Sequence, residues 1–229
     1  MTFLYAIKQL TAGIFLMTEK IKVNLFDSLA PENYLEFWGD KFNFSSEFEP
    51  TKVEWIRCGL GKGLEEFDGP TVFTDKDLLS PWVQKIESKL KIAWLVECRT
   101  IHPFAYHHIS MSEDDFDYIF TFDEQLLERG PKYIKNLIGT SRVSDTDAGI
   151  HKKTKMLSLI ASDKTWTRGH QLRHIVANAI KDRYEVDLWG SAYKPFGKTG
   201  LTAAAIREGK NEPLKDYRFS IAIMNAKHD

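Results

Sequence analysis

Residues 156–190 read MLSLIASDKTWTRGHQLRHIVANAIKDRYEVDLWG, and this stretch decides the fold. Met156–Ser162 is a short, mostly apolar run, the pattern of a strand buried in a sheet. Arg168–Tyr184 places Leu172, Ile175, Val176, Ala179 and Ile180 at helical spacing, which predicts an amphipathic helix with those residues facing the core. Glu185–Gly190 is strand-like again. Downstream, Leu201–Gly209 reads as a helix stopped by glycine. Arg218–Asn225 reads as a last buried strand, with Phe219, Ile221, Ala222, Ile223 and Met224 apolar. Strand, helix, strand, helix, strand is the opening of a doubly wound parallel sheet.

Upstream, the same alternation recurs. Ile21–Phe26, Val53–Cys58, Thr71–Phe73, Lys91–Glu97 and Asp117–Phe122 read as strands. Short helices are expected over Pro31–Phe37, over Pro81–Leu90 with Trp82, Val83, Ile86 and Leu90 on one face, and over Asp123–Gly130. Between Gly139 and Lys155 the sequence is polar without an apolar period, as in an interdomain linker. The organisation expected is an N-terminal extension over 1–16, an α/β domain over 17–150 and part of a second α/β domain over 151–229.

Lys+Arg 31 against Asp+Glu 32 leaves a net charge of -1. The basic excess of a nucleic-acid binder is missing, although net charge says nothing of its distribution. Cys58 and Cys98 lie in apolar runs and read as free thiols of a reducing compartment. The first sixteen residues are apolar but interrupted by Lys8 and Gln9, too short and too broken for a membrane span. They lack the layout of a signal peptide, and Met17 opens a natural start. The expected location is the cytoplasm, with the inner membrane surface left open.

Several local patterns carry a bland reading. CGLGKG (Cys58–Gly63) lacks the spacing of a dinucleotide fingerprint and reads as a tight loop. FGKTG (Phe196–Gly200) lacks the first glycine of a P-loop at the required distance, which excludes that motif. DTD (Asp145–Asp147) lies in the polar linker, as a solvated turn would. His102, His107 and His108 lie near one another in sequence; a metal site is not expected there, and a role toward an acceptor stays open.

Two residues carry more. Glu97 ends an apolar strand, where open α/β sheets bind ligands. Partial burial there would suit a general base, and the alternative is a structural carboxylate paired with Arg99. Arg173 lies on the helix after a strand-to-helix turn, within reach of an anion at the helix start. A solvated arginine is the alternative, with Arg168 and His174 competing for the role.

Around these residues the sequence resembles the family ten glycosyltransferases, the α1,3-fucosyltransferases. Three blocks carry the resemblance: KIAWLVECRTIHP followed by DDFDYIFTFDEQLL; SLIASDKTWTRGHQLRHIVANAI; and the closing LKDYRFSIAIMNAKHD. It covers the chain from Lys91 onward. The resemblance implies a GT-B-like architecture and inverting transfer of a sugar, most simply fucose from GDP-fucose, to a carbohydrate hydroxyl without a metal or other cofactor. It places Glu97 on the catalytic base. It places Arg173 on the donor diphosphate, with Asp163, Tyr217, Arg218 and Asn225 at the nucleotide site. Asp163 stands where the family has Asn, Arg218 where it has Lys, and Met224 where it has Glu, departures that bear on the donor's identity. The family's Tyr-x-Thr-Glu-Lys segment would follow the last strand. The resemblance therefore implies an incomplete, inactive piece that self-associates through its C-terminal region. The alternatives are a non-catalytic carbohydrate-binding or interaction protein on the same fold and a transferase of another nucleotide sugar.

Overall fold

A computed structural model describes residues 21–27, 53–57, 69–136, 149–194 and 211–226. The helices expected over Pro31–Phe37 and Leu201–Gly209, the three loop motifs, the N-terminal extension and most of the linker lie outside the described residues. The chain forms two compact units, the first ending at Gly139 and the second spanning Thr140–His228.

The first unit is built on a six-stranded sheet in the order β2-β1-β3-β4-β5-β6. The strands are β1 (Ile21–Phe26), β2 (Val53–Arg57), β3 (Thr71–Thr74), β4 (Lys91–Trp94), β5 (Tyr118–Thr121) and β6 (Tyr133–Lys135). Every pairing is parallel. Successive side chains alternate between faces. Phe26, Phe73, Ala93, Leu95 and Ile119 join one apolar cluster. Val23, Leu25, Val72, Ile92, Trp94 and Phe120 join another. Both faces are buried, which is why these strands read as continuous apolar runs. The strand order reverses between β1 and β3, the place where such sheets form a ligand crevice.

Helices α1 (Trp82–Lys85), α2 (Pro103–Met111) and α3 (Glu124–Leu127) belong to this unit. Helix α1 is far shorter than the expected Pro81–Leu90. Ile86 is already extended, and the Ser88 hydroxyl is tied to the Gly69 carbonyl at 2.6 Å. The apolar spacing of Trp82, Val83 and Ile86 therefore buries a single turn and a return to β4. Helix α2 and strand β6 were not anticipated. Pro103 opens α2 in the favoured first position, and Ala105, Tyr106 and Ile109 pack into the first cluster. His102 precedes this helix, while His107 is exposed and His108 half-buried. Asp123 caps α3 by accepting the Leu126 N–H at 3.0 Å. Cys98 is a buried free thiol.

The second unit holds a three-stranded parallel sheet, β8-β7-β9, formed by β7 (Lys155–Ile160), β8 (Val186–Trp189) and β9 (Tyr217–Ile221). Helices α4 (Arg168–Ile180) and α5 (Glu212–Lys215) flank it. Leu159 and Ala161 pack with Ala177 of α4, while the neighbouring Ser158 donates to the Pro213 carbonyl of α5. Two expectations need correction. The buried positions of α4 are Gly169, His170 and Ala177, and Leu172 and Ile175 are 42% and 64% exposed. The last strand ends at Ile221, and Arg218, Phe219 and Ser220 are exposed. The chain after β9 crosses the start of α4, where the Asn225 carbonyl accepts the Gly169 N–H.

Gly169 makes the crossing possible. A Cβ there would lie 1.9 Å from the Met224 carbonyl oxygen and 2.5 Å from that of Asn225. Gly169→Ala therefore sets a helix-propensity gain of about 1 kcal/mol against a backbone clash, and the clash wins. We expect Gly169→Ala to lower unfolding stability by about 2–4 kcal/mol. Asn178→Ala, at an exposed position of the same helix, should be neutral or slightly stabilising. Urea titrations of both variants check this.

Candidate functional sites at the carboxyl edges of the sheets

Four strands of the first sheet are each followed by an acid: Asp27 after β1, Asp75 after β3, Glu97 after β4 and Asp123 after β5. Because the strands are parallel, these acids share one edge of the sheet. Asp75 adopts φ 38°, a left-handed conformation that is uncommon outside glycine. Its side chain turns in beneath the end of β4. Oδ1 accepts the Val96 N–H at 2.8 Å and the Glu97 N–H at 3.1 Å. On the other side, the Tyr106 hydroxyl of α2 donates to the Glu97 carbonyl at 2.9 Å. The backbone of Glu97 is thus held at both its N–H and its C=O.

The carboxylate of Glu97 itself is exposed. This corrects the expected partial burial. The ladder of β4 stops at Trp94, and the chain runs on through Leu95 and Val96 before Glu97, past the shelter of the sheet. The expected alternative partner, Arg99, is engaged elsewhere. Its Nε and Nη2 donate to the two oxygens of Asp123 at 3.1 and 2.9 Å, and its guanidinium stacks 4.9 Å above the Tyr106 ring. Burial pushes the Tyr106 phenol up, with the charge of Asp123 adding to it, so the hydroxyl remains a donor. The buried acid of the group is Asp75, 6% exposed. Burial raises its carboxyl to about 6, against the lowering effect of the two N–H bonds and of His102.

In the second unit the structure brings Arg173 and Asn225 into contact across 52 residues of sequence. Arg173 Nη2 donates to Asn225 Oδ1 at 2.7 Å, and Nε donates to the Ile223 carbonyl at 3.0 Å. The Asn225 carbonyl accepts the Gly169 N–H at 3.1 Å and the Thr167 hydroxyl. Thr167 in turn caps α4 by accepting the His170 N–H. Burial lowers the titration of both His170 and Arg173, and for His170 the nearby Arg173 charge adds to it.

Asp163 lies in the loop between β7 and α4 and exchanges hydrogen bonds with Ser191 after β8: its N–H reaches Oγ at 3.1 Å, and Oγ–H reaches Oδ1 at 3.0 Å. The amides of Asp163 in the loop and of Gly169 and His170 at the start of α4 are therefore committed within the chain. Tyr217 and Arg218 do not join this group, since they open β9 at its amino end. The Tyr217 hydroxyl receives Lys155 Nζ at 3.2 Å and Trp189 Nε1 at 3.0 Å and donates to Asp187. That network ties the three strands together. Arg218 is exposed.

Asp75, Tyr106, Thr167 and Gly169 were missed in the sequence. Asp75 carried a usable signal: TVFTD has the strand-then-acid pattern that singled out Glu97. Among the described residues no three His, Cys, Asp or Glu side chains gather where they would hold a metal ion, and no helix is long and apolar enough to cross a membrane.

A carboxyl raised from 3.8 to about 6 binds its proton more tightly in the folded state than in the unfolded one. Its contribution to stability is then fully present below about pH 4 and is lost as pH rises toward and through 6. Asp75→Asn keeps the accepting oxygen and never carries the charge. Relative to the wild type, the variant should gain about 2–3 kcal/mol in unfolding free energy between pH 4 and pH 7. Paired denaturant titrations across that range read the difference. A wild type that gains on the variant as pH rises would reverse the assigned direction.

Compared with known proteins, the chain matches no family model and no curated protein.

Proposed function

We propose that this chain belongs to a glycosyltransferase of the GT-B plan, in which the first unit is the acceptor side and the second unit part of the donor side. The reaction is inverting transfer of a sugar from a nucleotide diphosphate donor, GDP-fucose on the resemblance, to a carbohydrate hydroxyl. Glu97 takes the hydroxyl proton as that oxygen attacks the anomeric carbon. The bond from the anomeric carbon to the diphosphate oxygen breaks through an oxocarbenium-like state, comparable to that of glycoside hydrolysis. Arg173 offsets the charge left on the diphosphate.

The observation that carries this reading is the setting of Glu97: a backbone held on both sides, an exposed carboxylate, and a place beyond the carboxyl end of a central parallel strand. Fixed backbone with a free reactive group is what positioning for catalysis requires. The meeting of Arg173 and Asn225 at the reversal of strand order between β7 and β9 supports the donor half. A second reading, a non-catalytic carbohydrate-binding protein on the same fold, is favoured by one observation. The Arg173 guanidinium already has acceptors of its own in Ile223 and Asn225.

On a protein in which this chain is joined to a complete donor side, calorimetric titration with GDP, initial rates with GDP-fucose and melting curves separate the readings. On the transferase reading, Glu97→Gln lowers the rate by about 10²–10⁴-fold and leaves GDP affinity unchanged. Arg173→Ala weakens GDP by about tenfold or more, and Arg173→Lys restores charge without the fork. A folded wild type that binds no GDP favours the second reading. A Glu97→Gln variant that keeps its rate removes Glu97 from the mechanism.

A further inference from the structure

We propose that Asp75 is the positioning residue for Glu97, its carboxylate holding the Val96–Glu97 peptide so that the Glu97 side chain is presented from a fixed point. The proposal rests on the reading of Glu97 as the base, and its geometry comes from four independent features. One oxygen of Asp75 receives two successive N–H groups, those of Val96 and Glu97, at 2.8 and 3.1 Å. Two adjacent amides converging on one oxygen make a small anion-binding concavity, and the chain fills it with its own carboxylate. Asp75 is 6% exposed, so a charged group is held away from water. Its φ of 38° is a conformation that side chains with a Cβ adopt at a cost. Tyr106 completes the hold from the opposite side through the Glu97 carbonyl.

Folding alone does not call for these features together. Two amides at the end of a strand are satisfied by water, by a neighbouring carbonyl or by a neutral Asn, without a desolvated charge. A Gly at position 75 would remove the backbone strain. The arrangement retains both costs and spends them on two groups, the amides of residue 96 and of the residue whose carboxylate projects past the sheet. The charged and titratable neighbours of Asp75 include Glu97 itself, His102 before α2 and Tyr106 of α2, with Asp77 on its own turn. The ion pair of Arg99 with Asp123 and the stacking of Arg99 on Tyr106 brace α2 from outside. Asp75 does not reach the reacting atoms in this scheme and acts through the backbone of residues 96 and 97.

Site-resolved amide hydrogen exchange at one pH, on the full chain, tests this without relying on activity. Asp75→Gly removes the acceptor at a position whose backbone favours glycine, so the variant is expected to fold. The Val96 and Glu97 amides should exchange at least about tenfold faster than in the wild type. Core amides such as Ile119 should hold, which separates a local release from a general loss of stability. Asp75→Asn keeps the accepting oxygen and should stay within about threefold of the wild type at both amides. Unchanged exchange at residues 96 and 97 in Asp75→Gly overturns the proposal, as does equal acceleration in the core.

A second arm reads rates with GDP-fucose on a protein in which this chain is joined to a complete donor side. Asp75→Gly should lower kcat about tenfold or more with the donor KM unchanged, and Asp75→Asn should recover most of it. If Glu97→Gln lowers the rate and Asp75→Gly does not, the positioning role is wrong although the base stands. If Glu97→Gln keeps the rate, the base reading fails, and the exchange experiment still decides whether Asp75 holds the turn.

Discussion

Every strand pairing in the two described sheets is parallel, and the rest of the structure depends on that constraint. A parallel sheet sends each chain segment back over its face before the next strand begins, so all the strand-to-helix turns emerge on one edge. Residues far apart in sequence then become neighbours by topology. In the first unit this gathers acids after β1, β3, β4 and β5. In the second it brings residues 223–225 to the start of α4. In the first sheet, where both faces carry apolar clusters, this burial explains why most of its strands read as near-continuous apolar runs.

Both units fill their carboxyl-edge amides from within. In the first, the Asp75 carboxylate takes the N–H groups of Val96 and Glu97. In the second, the Asn225 carbonyl takes the N–H of Gly169 at the start of a 13-residue helix. A helix start of that length attracts anions through its dipole and its unpaired amides. Here a neutral carbonyl and the Thr167 hydroxyl answer part of that demand. A donor diphosphate at this place would compete with an intramolecular partner, and the Arg173 fork, already shared between Ile223 and Asn225, is the group whose release such competition needs. That tension lies inside the proposed function and makes GDP affinity its most informative quantity.

The two buried charges weigh differently. Arg173 is half-buried with three hydrogen bonds to oxygen, and burial still lowers its titration. Asp75 is buried more deeply and bonds two neutral amides through a single oxygen. Its desolvation outweighs those bonds, which is why its carboxyl rises where N–H donors alone would lower it. Of the two, Asp75 is the more deeply buried, and its carboxylate bonds the backbone of the residue proposed to do the chemistry.

The sequence by itself determined the class of fold and the order of its elements, because apolar runs of strand length separated by crossovers leave few topologies open. Strands β1, β2, β3, β4, β5, β7 and β8 were legible that way, each with a local apolar pattern strong enough to stand alone. Position 97 was legible as a strand-end acid by the same logic. The ends of elements were decided elsewhere. The helix after Pro81 gives way at Ile86 to extended chain whose Ser88 is tied to Gly69, and the segment after β9 covers Gly169 at the start of α4. Burial of a single carboxylate was beyond local pattern: Glu97 and Asp75 follow strands alike. Only the three-dimensional reach of each chain past its sheet left Glu97 in water and drew Asp75 inside. Contacts such as Arg173 with Asn225, 52 residues apart, exist because tertiary packing closes a loop whose ends carry no mark of each other in the sequence.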